Sequence, residues 1–375
     1  MQSVWLYLEN GTFLEARSFG ASGTKVGEIV FNTSMTGYQE IASDPSYAGQ
    51  FVTFTMPEIG NVGVNGDDME SNALYAKGVI VRNYNKTYSN YRAEGDFDTL
   101  LKEHDCMGIC EIDTRYLTKM LRDEGAMMMI ASTEISERDE LKALLEKSPR
   151  IEDINYIQEV STKEPYKHTS GAWNMGTHSY NELKATNKKI AVLDFGVKRN
   201  ILNELVEAGL EVEVLPNNTK ADTLIERFNA GEIGGVFLSN GPGDPLVLKE
   251  EAAEITKITN SNIPMFAICL GHQLLSIAHG HNTYKLQFGQ HGGNHPVKNS
   301  GVVEITAQNH NYNVPDSINE IAEVTHVNLF DQTIEGVKYK DKPVFSVQHH
   351  PESSPGPHES KYIFSQFADT VKESN

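Results

Sequence analysis

The second half of the chain alternates apolar strands with amphipathic helices, and this rhythm constrains the fold most strongly. From residue 189, the buried-strand pattern KIAVLDFG precedes the helical KRNILNELVEAG, and LEVEVLP followed by ADTLIERFNAG repeats the unit. Strands separated by helices of about 10–15 residues favour a parallel sheet covered on both faces. We therefore predict an α/β domain at residues 189–375, with a mainly parallel central sheet flanked by helices.

The first part of the chain has a different pattern. Strand-like runs flank Asn10-Gly11, a pair typical of a two-residue hairpin turn, and further strand patterns include QFVTFTM and MMMIAS. One short helix is predicted at DTRYLTKMLRDEG. Residues 1–150 are therefore predicted to form a β-rich α+β N-terminal domain. Residues 151–188 lose any sustained period, as expected of an inter-domain connection.

Charge and cysteine content exclude several classes of function. The formal net charge of −19 argues against a nucleic-acid-binding surface, which would show clustered Lys and Arg. No apolar run approaches the roughly 18 residues of a membrane span, and the N-terminus lacks a signal-peptide pattern. Three cysteines are a poor disulfide framework. We expect a cytoplasmic protein with no membrane or nucleic-acid partner.

Three motifs stand at the ends of predicted strands, namely NGPGDP, CLGHQ and HHPE. Ligands of open parallel sheets bind beyond the carboxyl ends of the strands. The three motifs are therefore expected to meet at one edge of the sheet, and this expectation requires no knowledge of any family.

Cys269 is a candidate nucleophile. An apolar strand ends at this residue and a helix begins immediately afterwards, as in a nucleophile elbow with Cys in place of Ser. Small neighbours, Ala267 and Gly271, leave room for the sharp bend. A helix N-terminus favours thiolate, and its N–H groups can hold an oxyanion. A buried strand-end cysteine without chemistry remains an equal alternative on spacing alone.

His350 and Glu352 are candidates for the base and the residue that orients it. Pro351 favours an extended His350, and residues two apart in an extended chain face the same side. Glu352 would then fix the tautomer of the imidazole. A solvated loop is the equal alternative. His349 should point to the opposite face, and His272 is interpreted as structural.

Other site patterns are weak. Gly241 and Gly243 in NGPGDP permit unusual backbone angles, so their N–H groups can turn toward a ligand. No dinucleotide fingerprint and no GxxxxGK[ST] motif is present. The spacing of His291 and His295 matches a zincin helix, but two central glycines and the missing Glu argue against one. No metal site is predicted.

Taken together, NGPGDP, CLGHQLL and HPE resemble the motifs of the class I (triad) glutamine amidotransferases. A narrower resemblance, spanning about residues 1–370, is to the small glutaminase subunits of carbamoyl phosphate synthetase. It rests on FNTSMTGYQEIASDPSYAGQ, IGNVGVN, EIDTR, DFGVKRNIL, FGQHGGNHPV, ITAQNH and HPESSPGPH.

The resemblance implies roles for particular residues. Cys269 would be the nucleophile that forms a γ-glutamyl thioester, His350 the general base and acid, and Glu352 the residue that orients it. The N–H groups of Gly241 and Leu270 would form the oxyanion hole. The implied contacts to substrate glutamine are Ser46, Gly241, Gly243, Leu270, Gln273, Asn309, Asn311 and Tyr312.

The same resemblance implies a partner. Ammonia would pass through a tunnel to a large synthetase subunit, which makes carbamoyl phosphate for arginine and pyrimidine synthesis. ATP and Mg would bind only to that subunit, leaving this chain without a cofactor. Three alternatives are a glutaminase serving another synthetase, a freestanding γ-glutamyl cysteine hydrolase, and a non-catalytic binding module.

Three positions depart from the family pattern. Asn311 stands where the family usually has Gly, Tyr312 where it has Phe, and His349 where it has Gly. Because asparagine tolerates left-handed backbone, we expect the backbone contact at Asn311 to survive. None of the three departures falls on Cys269, His350 or Glu352.

Overall fold

The chain forms two compact units in the computed structural model, which describes residues 1–374. The N-terminal unit contains Met1–Tyr156 together with the short segments Leu286–Gly292 and Ser354–Gly356. The C-terminal unit contains the other described residues from Ile157 onward.

The N-terminal unit is mostly strand. Its strands are β1 (Ser3–Leu8), β2 (Phe13–Gly20), β3 (Thr24–Asn32), β4 (Gln50–Phe54), β5 (Glu58–Ile59), β6 (Gly78–Ile80), β7 (Asn83–Tyr84), β8 (Met107–Cys110) and β9 (Met127–Ser132). Its helices are α1 (Tyr38–Ser43), α2 (Phe97–Glu103), α3 (Thr114–Glu124) and α4 (Arg138–Lys147).

Seven of these strands close into a barrel in the order β1-β2-β8-β6-β4-β3-β9. Apolar side chains from all seven form one cluster, including Leu6, Phe51 and Ile109. Helix α3 adds Leu117 and Leu121 to the same cluster. The barrel interior is thus a packed core closed by α3, and the prediction of a β-rich α+β domain is confirmed.

The first hairpin differs from the predicted two-residue turn. Leu8 N donates to the carbonyl of Thr12, and Gly11 N donates to the carbonyl of Leu8. The loop therefore contains three residues, and Gly11 takes a φ of 89°, in the left-handed region. A three-residue loop with a residue in that region is another common hairpin connection.

The C-terminal unit contains twelve strands and six helices among the described residues. The strands are β10 (Tyr166–His168), β11 (Ser170–Asn174), β12 (Ser179–Glu182), β13 (Lys189–Asp194), β14 (Glu211–Pro216), β15 (Gly235–Leu238), β16 (Met265–Ile268), β17 (Tyr284–Asn299), β18 (Val302–Asn313), β19 (Ala322–Asn328), β20 (Ile334–Tyr339) and β21 (Val344–Val347). The helices are α5 (Ile157–Val160), α6 (Arg199–Glu207), α7 (Ala221–Asn229), α8 (Lys249–Thr259), α9 (Leu270–Ala278) and α10 (Tyr362–Thr370). Part of β17, residues 286–292, is assigned to the N-terminal unit.

A ten-stranded sheet runs in the order β10-β14-β13-β15-β16-β21-β20-β19-β17-β18. The five strands from β14 to β21 are parallel, and β10, β20 and β19 pair antiparallel. Ala191 and Leu193 of β13 face one apolar cluster, whereas Ile190 and Val192 face another. Helices cover both faces, since α8 and α9 contribute to the first cluster and α6 and α10 to the second. The predicted α/β class is confirmed.

The segment predicted as a connection, residues 151–188, contains short elements. A 3₁₀ turn spans Ile151–Asp153, and α5 follows it. Strand β10 joins the edge of the large sheet beside β14, while β11 and β12 form a separate two-stranded sheet. Most of this segment therefore belongs to the C-terminal unit.

Replacing Phe266 by Ala should destabilise the C-terminal unit by about 3–5 kcal/mol, because a large cavity would open in a packed core. Phe266 is fully buried, and its ring centroid lies 4.7 Å from that of Phe345 and 5.3 Å from that of Phe237. Denaturant unfolding measures the loss. The matched control is Val302→Ala, at a side chain that is 62% exposed, where a change within about 0.5 kcal/mol is expected. Equal losses for both variants would contradict this packing.

Candidate active site

Four loops of the C-terminal unit follow the carboxyl ends of neighbouring parallel strands. Because β13, β15, β16 and β21 run parallel and adjacent, their ends lie at one edge of the sheet. Three of the loops contain the motifs singled out in the sequence, and the fourth follows β13. The residues at this edge are Lys198 after β13, Gly241 and Gly243 after β15, Cys269 after β16, and His350 and Glu352 after β21.

Cys269 occupies a strained turn between β16 and α9. Its φ of 54° and ψ of −106° are unusual for a residue with a side chain, and such strain persists only where the surroundings enforce it. Cys269 N donates to the carbonyl of Val347 at 2.9 Å, and Gly271 N donates to the carbonyl of Ser239 at 3.0 Å. These two bonds anchor the turn to the strands on either side. The thiol is 2% exposed, and its Sγ lies 3.5 Å from the carbonyl oxygen of Asn309.

Gly271 is required by its surroundings. A Cβ added at this position would lie 2.5 Å from the carbonyl oxygen of Leu238 and 2.8 Å from the Leu238 Cβ. Real Cβ atoms do not approach other atoms so closely. Helix α9 can therefore begin against β15 only if its second residue has no side chain. The sequence analysis noted that Gly271 is small, and the close approach of Leu238 is the reason that the structure gives for it.

His350 and Glu352 meet, but through a turn. The His350 Nδ1 and a Glu352 carboxylate oxygen lie 2.7 Å apart, and both side chains are buried. His350 itself is extended, as predicted, since it forms a β-bridge with Ala307, but the prediction that the chain stays extended as far as Glu352 is wrong. Ser353 N donates to the carbonyl of His350 at 3.1 Å and closes a turn over Pro351 and Glu352. A second bond, from His350 N to the carbonyl of Ala307, ties the turn to β18.

Lys198 is a member of the site that the sequence reasoning missed. Its Nζ lies 2.9 Å from Glu352, and both side chains are at most 4% exposed. The Lys198 ammonium also donates to the carbonyl of Ser353. Nearby, Asn200 Nδ2 donates to the backbone carbonyl of Glu352 at 2.6 Å. Lys198 could have been found from the sequence by its position. It lies in the motif DFGVKRNIL, at the carboxyl end of a strand of the parallel sheet, as the other site motifs do.

Charge balance explains the ionisation of this buried pair. Burial alone would raise the pKa of Glu352, but Lys198 and His350 outweigh burial and lower it to about 2. Burial alone would lower the pKa of His350, but the Glu352 carboxylate and Cys269 outweigh burial and raise it. Because the His350 Nδ1 is hydrogen-bonded to Glu352, Nε2 is the ring nitrogen that can interact with Cys269. The raised pKa of His350 favours an imidazolium next to the Cys269 sulfur.

The backbone amides of Leu270 and Gly241 both lie in segments that follow strands of the parallel sheet at this edge. Leu270 is the first residue of α9, so its N–H is among those that a helix leaves without an internal acceptor. Gly241 lies in the loop after β15, where an added Cβ would meet the carbonyl oxygen of Phe195 at 2.2 Å. Gly243, in the same loop, has a φ of 87°. Only glycine fits the close approach at Gly241.

Gln273 and β18 form the wall next to Cys269. Gln273 Nε2 donates to the carbonyl of Tyr312 at 2.8 Å and to the Gln348 side chain at 3.1 Å. Asn309, Asn311 and Tyr312 all lie in β18 and are buried. The remaining predicted glutamine contact, Ser46, belongs to the N-terminal unit, where its backbone N–H donates to Asp44.

The expectation for Asn311 needs correction. Asn311 lies inside β18 and outside the left-handed region, so tolerance of left-handed backbone plays no part there. Tyr312 is buried, and Lys285 Nζ lies 5.9 Å from its ring centroid, within reach of a cation–π contact.

The pKa values of three other buried histidines, His272, His326 and His349, are lowered, which favours their neutral forms. His272 Nδ1 and the Ser346 hydroxyl lie 2.8 Å apart, and burial, aided by nearby imidazoles, lowers the pKa of His272 to about 3. Burial likewise lowers the pKa of His349 to about 4. The His349 ring lies 5.3 Å from that of His326, centroid to centroid. In contrast to these three, the pKa of His350 is raised.

No group of three or more His, Cys, Asp or Glu side chains within residues 1–374 is arranged to hold a metal ion. None of the helices described for the chain has the length and apolar character needed to cross a membrane.

A cysteine on a strand-to-helix turn, with a buried imidazole and carboxylate beside it, defines the class of cysteine-dependent acyl-transfer enzymes. The comparisons narrow this class. Residues 6–131 match the family described as carbamoyl-phosphate synthase small chain, CPSase domain. Residues 191–370 match the family described as glutamine amidotransferase class-I.

Relatives that match nearly the whole chain are small chains of the same synthase. The carbamoyl phosphate synthase small chain of Helicobacter hepaticus is 60% identical over 98% of each chain. That of Campylobacter jejuni is 58% identical, covering 97% of this chain and 98% of its own. The chloroplastic small chain of Arabidopsis thaliana is 44% identical, covering 98% of this chain and 85% of its own. The chain belongs to the carbamoyl phosphate synthase small-chain family, and its C-terminal part is a class I glutamine amidotransferase domain.

Lys198→Met should destabilise the chain by about 3–5 kcal/mol, because it leaves a buried carboxylate without its cation. In the wild type the lowered pKa of Glu352 means that its ionised form stabilises the fold above about pH 4.5, and this contribution is lost as the pH falls toward about 2. Without Lys198 the pKa of Glu352 rises. The acidic limb of the kcat/KM profile for glutamine hydrolysis should then move to higher pH.

The matched control is Lys189→Met, which removes a partly exposed pair with Glu213 (3.3 Å) in the same unit. This control should cost about 1 kcal/mol or less and leave the acidic limb in place. An acidic limb that stays unchanged in Lys198→Met would contradict the assigned role of the ammonium.

Proposed function

We propose that this chain hydrolyses L-glutamine to glutamate and ammonia, with Cys269 as nucleophile, and supplies the ammonia to a carbamoyl phosphate synthetase large subunit. The observation that supports the chemistry best is the buried line from Cys269 through His350 and Glu352 to Lys198. The family to which the chain belongs supports the choice of glutamine and of partner.

In the first half of the reaction, the Cys269 thiolate attacks the side-chain amide carbon of glutamine. The negative charge that develops on the amide oxygen is held by the N–H groups of Leu270 and Gly241. The imidazolium of His350 gives its proton to the leaving nitrogen, and the C–N bond breaks. The products are ammonia and a γ-glutamyl thioester on Cys269.

In the second half, neutral His350 takes a proton from water, and the hydroxide attacks the thioester carbon. The C–S bond breaks, glutamate leaves, and the thiolate–imidazolium pair is restored. Glu352 keeps the His350 Nδ1–H bonded throughout, so that Nε2 faces the reacting atoms. Lys198 keeps Glu352 ionised.

The glutamine contacts follow from the same proposal. Gln273, Asn309, Asn311 and Tyr312 would bind the substrate from α9 and β18, and Gly241, Gly243 and Leu270 from the loops at the sheet edge. Ser46 belongs to the N-terminal unit, and its contact with glutamine stays a prediction from the family resemblance. Support comes from the contact of Asn309 with the Cys269 sulfur and from the contact of Gln273 with Tyr312. The loops that contain Gly241, Gly243 and Leu270 follow neighbouring strands of the parallel sheet.

ATP and Mg are proposed to act only in the large subunit, where carbamoyl phosphate is made for arginine and pyrimidine synthesis. The absence of a GxxxxGK[ST] motif in the sequence supports this division of labour. A cytoplasmic location is also proposed, because all three cysteines are free and buried, as expected in a reducing compartment.

Cys269→Ser should abolish glutamine-dependent carbamoyl phosphate synthesis by the complex and leave ammonia-dependent synthesis intact. The reason is that the variant removes the thiolate and nothing that the large subunit uses. A coupled assay with either nitrogen source measures both rates. Cys106→Ala, at a buried cysteine in the N-terminal unit, is the control and should retain glutamine use. Retained glutamine use by Cys269→Ser would refute the assigned nucleophile.

A further inference from the structure

Helix α3 of the N-terminal unit has two contrasting faces. Leu117, Met120 and Leu121 pack into the barrel core. The opposite side presents Arg115, Lys119 and Arg122, all exposed. At about 100° per residue these three positions fall within an arc of about 60° and span about 10 Å of helix. They form a continuous cationic stripe.

The stripe lines a depression of about 300 Å³, together with Thr55 and Thr118. Thr55 directly follows β4, so one wall comes from the barrel and the other from α3. The Thr118 hydroxyl is bonded to the carbonyl of Thr114 at 2.8 Å, which leaves the three cations as the main polar groups of this cationic groove.

Clustered cations are unexpected on this chain. It has 51 acidic and 32 basic residues, and several other cations of the N-terminal unit meet carboxylates, such as Lys25 with Asp105 and Arg92 with Asp68. In the groove, Arg122 pairs with Asp123 at 2.8 Å. Arg115 and Lys119 have no carboxylate within 4 Å among residues 1–374. Like charges one helical turn apart repel and destabilise a helix.

We infer that the cationic groove on α3 docks an acidic segment of the synthetase large subunit, an inference that rests on the proposed function. A segment bearing several Asp or Glu side chains would match both the length of the stripe and the forked geometry of arginine. A single small anion fits less well. It would reach only part of the 10 Å stripe, and one exposed ion pair in water is worth little.

Several such pairs at once would also steer the two chains together. Complementary charge raises association rates and fixes the register of docking more than it raises affinity by itself. The rest of this strongly acidic chain would repel an acidic partner segment, so the groove also selects where that segment can lie.

The test uses the double charge reversal Arg115→Glu/Lys119→Glu, and the neutral pair Arg115→Gln/Lys119→Gln in case the reversal harms folding. The matched control is Lys142→Glu/Lys147→Glu on α4, two exposed cations of the same unit. Each full-length variant is titrated with purified large subunit at low and at moderate salt, and the glutaminase rate of the isolated chain is measured separately.

The expected result is at least tenfold weaker binding for the charge reversal, a smaller loss for the neutral pair, and a reduced salt dependence for both. The control should bind as the wild type does, and the basal glutaminase rate should be unchanged in all variants. Binding by the groove variants equal to that of the control would overturn the inference while leaving the proposed function intact. A wild-type chain that does not bind the large subunit would overturn both.

A parallel titration of the isolated chain with inorganic phosphate tests whether the groove binds a small anion instead of an acidic segment. Protection of the wild type against thermal unfolding at millimolar phosphate, lost in the charge reversal while large-subunit binding stays unchanged, would make the groove a small-anion site and refute the docking inference.

Discussion

The buried ion pair between Lys198 and Glu352 is the contact on which the site depends. A carboxylate without water is stable as an anion only if a cation and hydrogen-bond donors replace its hydration. Lys198 supplies the cation, and His350 supplies the donor. Because Glu352 stays ionised, it fixes the His350 tautomer and favours the protonated ring. The Cys269 sulfur then has a charged neighbour in a site with almost no solvent.

Backbone hydrogen bonds hold the turns at Cys269 and His350 in place beside this ion pair. The strained turn at Cys269 is bonded to β21 on one side and to the end of β15 on the other. The His350 turn is bonded to β18, which also passes within 3.5 Å of the Cys269 sulfur. Neighbouring strands therefore hold the nucleophile and its base in place. In an open parallel sheet this edge is where loops from several strands converge, so catalytic groups distant in sequence can meet there.

The alternation of strands and helices after residue 189 was sufficient to predict the α/β class, and the short N-terminal strands were sufficient to predict a β-rich domain. The closure of seven strands into a barrel was not predicted, because closure depends on pairing between β1 and β9, far apart in sequence. The antiparallel strands β19 and β20 likewise gave no local signal of their place in the sheet. Local periodicity reports burial, and pairing partners are set by tertiary packing.

By itself, the sequence determined the candidate nucleophile and its companions, since a cysteine at a strand end and the HPE motif are local patterns. It also indicated room for a bend after Cys269 from the small residues Ala267 and Gly271, although the contact with Leu238 that requires glycine at position 271 is a tertiary one. Only the tertiary structure decided that Lys198 neutralises Glu352 and that His350 reaches Glu352 through a turn. Both contacts join groups whose ionisation depends on burial and on charges brought close by folding, and neither property is encoded in local spacing.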